Sequence, residues 1–132
     1  MGMGTEDNSL AVMAHQVDES DGVCVEVVLM VGGAQLRGRL VSEVRYRELM
    51  ADTVRRGNAA PAAASFDLLT KEAEERRADR QHLRETRPDA PLEAPRFLYL
   101  VEDPDWARAW CVPLSSVDAW SMTALTVDLP DA

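Results

Sequence analysis

The residues in this chain that are best suited to catalysis or metal binding are a histidine near a carboxylate and two carboxylates in a turn. His15 and Glu19 are four residues apart, so both can lie on one face of a helix. An acid–base or metal site there needs a third partner, which the sequence does not indicate, so we predict a surface histidine. Asp103 and Asp105 flank a proline. Paired carboxylates can bind a cation or transfer protons, but Asp-Pro-Asp is more typical of a turn.

Patterns for nucleophilic catalysis and phosphate binding are missing from the sequence. The serine pair at 115–116 is not in a GxSxG elbow, and the glycine pair at 32–33 lacks the rest of a phosphate-binding loop. Cys24 and Cys111 fall in predicted strands without CxxC spacing, and we expect them to be buried free thiols. Two scattered histidines complete no zinc pattern. We therefore predict a protein that is not an enzyme, with no catalytic residues, no cofactor and no metal.

Three tryptophans are conspicuous in a chain that has two phenylalanines. One interpretation is packing in the core and at sheet edges, because tryptophan buries a large area. The other is an exposed anchor for a protein partner, because tryptophan is enriched in binding hot spots. We expect Trp106 and Arg108 to be the most exposed, since they follow a turn. The candidate partner-binding residues here are Trp106, Arg108, Trp110 and Trp120.

The chain has one basic cluster, in which residues 37–56 hold six arginines against three acids. Arg37 and Arg39 are two apart in a predicted strand and therefore share a face. The cluster is either a solvated face balanced by nearby acids or a dock for an acidic partner, including the acidic tail of another copy. Under the second interpretation, Arg37 and Arg39 are candidate partner-binding residues.

Length and charge limit the class of protein. The 132 residues suit a single domain over 1–132, and the net charge is −9. A negative field repels nucleic acid and anionic lipid, so we predict neither nucleic acid nor a membrane as partner. The acidic start of the sequence is unlike a signal peptide, and no apolar run approaches the ~18 residues that cross a bilayer. We predict a cytoplasmic protein.

The first part of the chain predicts a helix and a hairpin. Residues 1–22 hold a short helix over 8–17 and an acidic turn. Residues 23–42 predict two strands, 23–31 and 34–42, joined at Gly32-Gly33, because a type I′ turn needs positive φ at both positions. Gly38 within the second strand indicates a bend, a bulge or a close backbone approach.

The remainder predicts a helical insertion and three more strands. Residues 43–95 predict first a helix over 43–56, which ends at Gly57 in a left-handed conformation. A loop over 58–64 follows, and then a charged helix from Ser65 or Asp67 to about Arg84. A proline-rich linker completes the insertion. The charged helix has few apolar residues and should gain little from docking. Residues 96–129 predict strands over 96–102, 106–112 and 119–128, with Pro113 ending the middle one.

This order predicts an α+β fold. Our favoured architecture is a small five-stranded antiparallel, SH3/Sm-like partly open β-barrel, with an N-terminal helix and a helical insertion between strands 2 and 3. A plain antiparallel sheet covered by helices is the alternative. Five strands leave edges that need protection, which a dimer would provide.

Two stretches together resemble the gas vesicle accessory protein U family. LMVGGAQLRGRLVSEVRYRELM, residues 29–50, resembles a GG-x-x-x-x-G-x-L-[IV]-S-x-x-x-Y pattern. FLYLVED followed by WCVPLSSVDAWSMTAL, within residues 97–125, resembles an aliphatic strand and then [RK]-[LI]-S-S-V-D-G-[FW]. The two stretches span 22 and 29 residues, so the resemblance covers under half of the chain.

The resemblance implies a non-enzymatic accessory or scaffold role in gas vesicle assembly or clustering. Its partners would be further copies of itself, as a homo-oligomer, and gas vesicle proteins, and its location would be cytoplasmic and gas vesicle-associated. The alternative from the residues is an Sm-like small-barrel module that binds nucleic acid or a small ligand.

Overall fold

The fold is α+β, as predicted, in a computed structural model that describes residues 9–19, 23–57, 60–90, 95–102 and 108–127. The helices are α1 (Ser9–Glu19), α2 (Glu43–Arg56) and α3 (Ala60–Thr86). The strands are β1 (Val23–Val31), β2 (Ala34–Val41), β3 (Phe97–Glu102), β4 (Arg108–Pro113) and β5 (Val117–Val127), with a 3-10 turn at Leu114–Ser116.

The five strands form one antiparallel sheet in the order β4-β3-β2-β1-β5. Within the described residues β4 and β5 do not pair with each other, so the sheet is not closed into a barrel, and the predicted SH3/Sm-like, partly open barrel is not confirmed. The alternative, a plain sheet covered by helices, describes it. The physical reason is that α1 covers the apolar face of the sheet, which therefore need not curl round to bury that face.

The hydrophobic core lies between α1 and the apolar face of the sheet. Directly paired residues of neighbouring strands share a face, and the pairs Val25↔Leu40, Leu40↔Leu100 and Leu98↔Val112 place these apolar side chains together. The buried cluster consists of Leu10, Ala14, Val17, Val25, Val27, Leu29, Leu40, Leu98, Leu100 and Val112. On the opposite face, α2 packs Tyr46 against Tyr99 of β3, with ring centroids 4.8 Å apart.

Two glycines in the hairpin behave as predicted. Gly32 and Gly33 have φ of 56° and 84°, the positive values that a type I′ turn needs.

Gly38 allows a close backbone approach, because a Cβ placed there would lie 2.5 Å from the carbonyl oxygen of Val101 in β3. Pro113 is the last paired residue of β4, opposite Phe97, so it ends the ladder as predicted.

The helical insertion differs from the prediction at two points. Gly57 has φ −86°, so the predicted left-handed conformation is wrong; its N–H donates to the carbonyl oxygens of Thr53 and Val54. The stretch expected to be a loop over 58–64 instead contains the start of α3, which begins at Ala60 and runs for 27 residues. Alanine has the highest helix propensity, and Pro61 is tolerated because it lies in the first turn.

No helix among the described residues combines the length and apolar character needed to cross a membrane.

Candidate functional site

A row of arginines along α3 docks this helix onto the rest of the protein. Arg76, Arg80 and Arg84 are spaced by four residues, so they project from one side of the helix. Each meets a carboxylate of another helix: Arg76 meets Glu43 of α2, Arg80 meets Asp18 of α1, and Arg84 meets Glu19 of α1. The charged helix therefore docks through ion pairs, which its scarcity of apolar residues did not predict.

Asp18 joins all three helices. One carboxylate oxygen, Oδ1, accepts a hydrogen bond from the backbone N–H of Glu43 at 3.0 Å, at the first residue of α2. The other, Oδ2, accepts from the Arg80 guanidinium. A carboxylate near a helix N-terminus is favoured by the helix dipole as well as by these donors. Asp18 therefore fixes how α1 and α3 meet the start of α2.

Glu43 is the second carboxylate at this junction. It accepts hydrogen bonds from Arg76, from Nη2 at 2.6 Å and from Nε at 3.3 Å, while Nη2 of Arg47 is 3.7 Å away. The hydrogen bond that Arg76 donates to Glu43 is the main reason that the pKa of Arg76 is raised. Arg76 therefore holds Glu43 in a two-donor fork, whereas Arg47 makes only a long contact with it.

His15 is a docking contact between helices. Its Nε2 accepts a hydrogen bond from Arg84 at 2.9 Å and is 3.7 Å from Glu19, and its side chain is only 12% exposed. The predicted surface histidine is therefore wrong, because Arg84, 69 residues away in sequence, covers it. No group of three histidine, cysteine or acidic residues able to hold a metal lies in the part of the chain that the structure describes.

A cavity of about 460 Å³ lies between these helices and the adjoining ends of β2 and β3. Its charged lining comprises Asp18, Glu43, Arg47, Arg76, Arg80 and Arg96. Its apolar wall includes Leu40 and Leu98 of the core, together with Tyr99. A cavity with an apolar wall and a few convergent polar groups is the usual form of a small-molecule site.

Two groups at this cavity could act as nucleophiles or bases if they lost a proton. The pKa of Tyr99 is raised well above its usual value, chiefly by burial and then by the charge of Glu43. Partial burial also raises the pKa of the Cys111 thiol, although Arg47 opposes the shift. Both groups are therefore protonated at neutral pH, the opposite of an activated nucleophile.

The predicted tryptophan site is dispersed. Trp106 lies outside the described residues. Trp110, on the edge strand β4, is 40% exposed and donates its indole N–H to Glu102 at 2.9 Å, while Arg108 is exposed at the start of β4. Trp120 of β5 is half-buried against the core. Trp110 and Trp120 are four strands apart, about 19 Å at the usual spacing, and so do not form one anchor.

The two predicted arginines lie on the other face of the sheet. Arg37 is exposed opposite Val28, and Arg39 is opposite Glu26. Because the tryptophan positions share the core face, the structure does not bring these arginines together with Trp110 or Trp120.

The other sequence candidates are also separated. Cys24 and Cys111 are free, and β1 and β4 lie three strands apart, about 14 Å, too far for a disulfide. The prediction that both are buried is wrong, since Cys111 is exposed and Cys24 half-buried. Asp103 and Asp105 lie outside the described residues. In the 3-10 turn, Ser116 donates to the carbonyl oxygen of Pro113 at 2.7 Å.

Among the residues that the structure describes, the edge strand β5 presents the longest unpaired backbone in the sheet. It has 11 residues, its one charged residue is Asp118, and Met122 on it is 46% exposed. Two irregularities in its pairing with β1 leave Asp118 and Thr123 outside the regular register. Both are used locally: Asp118 accepts from the Gly32 N–H at 2.9 Å, and Thr123 Oγ1 donates to the Glu26 carbonyl oxygen at 3.2 Å.

Sequence reasoning missed the arginine row of α3. The signal was present as arginines at 76, 80 and 84, but their partners come from helices more than 30 residues away. Compared with known proteins, the chain matches no family model, no curated protein and no solved structure.

Proposed function

We propose that this protein is a non-enzymatic accessory or scaffold protein that acts by self-association, in the assembly or clustering of gas vesicles. The observation that carries the proposal is the β5 edge, an 11-residue strand whose residues 119–127 hold no charge. An exposed edge strand offers a row of free N–H and C=O groups to another chain.

The charge distribution favours a second copy at this edge. Two chains of net charge −9 repel each other, and pairing through an uncharged strand keeps the acidic segments away from the contact. Two identical edges can pair antiparallel about a two-fold axis, so that residue i of one copy meets residue j of the other and j meets i, which closes the dimer. The exposed Met122 would add apolar contact to the hydrogen-bonded ladder.

The spatial relation of the two resemblance motifs supports the gas vesicle context. The glycine pair of the first motif and the Ser-Ser-Val-Asp segment of the second meet where Asp118 accepts the Gly32 N–H at 2.9 Å, across 86 residues of sequence. The carboxylate thereby satisfies a donor of the hairpin turn, so both motifs serve one structural unit.

The Sm-like alternative for nucleic acid depends on a small, partly open barrel with the bend that Gly38 indicates in its hairpin. The sheet is open and the chain is acidic, so nothing in the fold favours this alternative over self-association.

Sedimentation velocity over a range of protein concentrations tests self-association. We expect the weight-average mass to rise with concentration, and Met122→Lys to suppress the rise, because a lysine on each edge places like charges opposite each other. Leu68→Lys is the matched control: Leu68 is 57% exposed on α3, far from the edge, and gains the same charge. A mass that stays monomeric, or equal suppression by both variants, contradicts the proposal.

Flotation tests the gas vesicle context separately. Purified protein mixed with gas vesicles is expected in the buoyant layer, with clusters visible by light scattering. Recovery only in the subnatant would refute that context while leaving self-association to be judged by its own measurement.

A further inference from the structure

The cavity between the three helices and the sheet is basic in an acidic protein. Four arginines line it against two carboxylates, whereas the whole chain carries −9. Both carboxylates are engaged by other groups: Asp18 accepts from the Glu43 N–H and from Arg80, and Glu43 accepts from both sides of the Arg76 fork. Positive charge therefore remains in excess at the cavity.

Two lining arginines keep buried donors without a protein partner. Among the described residues, the Nε atoms of Arg47 and Arg80 are buried and make no hydrogen bond. In the part of the chain that the structure describes, the nearest carboxylate oxygen to Arg47 is that of Glu43, at 3.7 Å, which is too long for a hydrogen bond. Buried donors normally have an acceptor, so Arg47 and Arg80 each bring a guanidinium with an unpaired donor to the cavity lining.

Arg96 adds a third donor group at the rim. It lines the cavity, its side chain is exposed, and in the ranges that the structure describes its guanidinium makes no hydrogen bond or ion pair. Its backbone is fixed, because its carbonyl oxygen accepts from the Leu114 N–H at 2.9 Å. Guanidinium groups bind carboxylates and phosphates through paired N–H donors, which suits them to an oxyanion.

The rest of the cavity is apolar. Phe97 and Tyr99 are two residues apart in β3 and therefore share a face of the strand; both line the cavity, and Phe97 is 42% exposed. The volume, about 460 Å³, is within the range of small-molecule sites. A ligand that matches this lining has one anionic end and a compact apolar body.

We propose that this cavity binds a small organic anion, whose carboxylate or phosphate group accepts hydrogen bonds from Arg47, Arg80 and Arg96 while its apolar body packs against Phe97 and Tyr99. This site is separate from the β5 edge, and its occupancy does not depend on self-association.

Isothermal titration calorimetry with three probes tests the site. The probes are phenyl phosphate, phenylacetate and the neutral 2-phenylethanol. We expect one or both anions to bind at one site per chain and the neutral alcohol not to bind. Binding of phenyl phosphate alone identifies a phosphate ligand, binding of phenylacetate alone or of both identifies a carboxylate-competent site, and each result supports the proposal.

Matched variants assign the binding to the cavity. Arg47→Gln is expected to weaken binding by about tenfold or more, as removal of a charge-assisted hydrogen bond does. Arg96→Gln is expected to weaken it in the same direction without disturbing the fold, since no described contact of its guanidinium is lost. Arg56→Gln, on α2 but outside the cavity, removes the same charge and is expected to leave affinity unchanged.

The outcomes that overturn the proposal are specific. The first is that neither anion gives heat of binding at about 10 mM probe, a concentration that would nearly saturate even a site with a Kd near 1 mM. The second is that 2-phenylethanol binds as well as the anions. The third is that Arg56→Gln and Arg96→Gln weaken binding equally. Far-UV circular dichroism of each variant confirms that the comparison is made between folded proteins.

Discussion

Gly38→Ala tests the reasoning about how the two halves of the sheet meet. A Cβ at this position would lie 2.5 Å from the Val101 carbonyl oxygen, against 3.4 Å for ordinary contact, so strand β3 would have to move by about 0.9 Å. The obstacle is backbone of a paired strand, which cannot rotate away as a side-chain tip would. The register between β2 and β3 has only three residue pairs, so this shift falls on a short ladder.

The magnitude follows from two terms. Overpacking a well-packed site costs about 1–3 kcal/mol, and weakening one ladder hydrogen bond adds about 1 kcal/mol. We therefore expect Gly38→Ala to lower the free energy of unfolding by about 2–4 kcal/mol. Gly57→Ala is the matched control, because φ is −86° and the nearest atom to its Cβ is at 3.4 Å. That change should be neutral or stabilise by up to about 1 kcal/mol, through the unfolded state.

Urea unfolding followed by tryptophan fluorescence measures both variants, and an unchanged m-value shows that the comparison is two-state. A free energy for Gly38→Ala within about 0.5 kcal/mol of the wild type would refute the close approach of β2 and β3.

Three further predictions concern the helix junction and the packing around Tyr99. Asp18→Asn keeps an oxygen for the Glu43 N–H but loses the charge facing Arg80, so it should lower the free energy of unfolding in urea by about 1–2 kcal/mol. The exposed Asp52→Asn is the control and should lower it by under about 0.5 kcal/mol. Equal losses in the two variants would argue against the role of Asp18 at the junction. The raised pKa of Tyr99 means that its contribution to stability is complete below about pH 10 and is lost as the pH rises further, by at most about 1.4 kcal/mol per pH unit and less after solvent screening. Unfolding free energies from pH 8 to 11 should therefore fall less steeply in Tyr99→Phe, and identical slopes would contradict this. Ser42→Ala removes a buried helix cap and should cost about 1 kcal/mol by thermal unfolding, with no change in Tm contradicting the role of the cap.

The hairpin and the first long helix could be predicted from local chemistry. Positive φ at Gly32-Gly33, the alternation over Val23–Val31 and the cap at Ser42 each depend on neighbours in sequence, and the structure agrees with all three. The conformation of Gly57 could not be predicted in this way, because a helix can also end without a left-handed residue.

Whether the sheet closes into a barrel could not be predicted from the local sequence pattern. Alternation shows which side of a strand is apolar but not what covers it, and α1 covers the apolar face where we expected the sheet to curl. The start of α3 could not be predicted from local pattern either. Pro61 and the surrounding alanines are compatible with a loop, but proline in the first turn is also compatible with a helix.

The cavity could be predicted least of all. Its charged lining comes from α1, α2, α3 and the start of β3, which are brought together only by long-range docking. Arg76 and Arg80 lie on a helix for which the sequence predicts little gain from docking, because their partners Glu43 and Asp18 are 33 and 62 residues away. Spacing along α3 indicates a row of arginines but does not identify what the row contacts.

Amide hydrogen exchange at increasing protein concentration tests the central proposal, self-association through β5, most directly. We predict that protection of the amides of residues 119–127 rises with concentration, while the amides of α3 exchange at a constant rate. Protection that stays constant along β5, or that rises instead along β4 or α3, would contradict pairing of two copies at this edge.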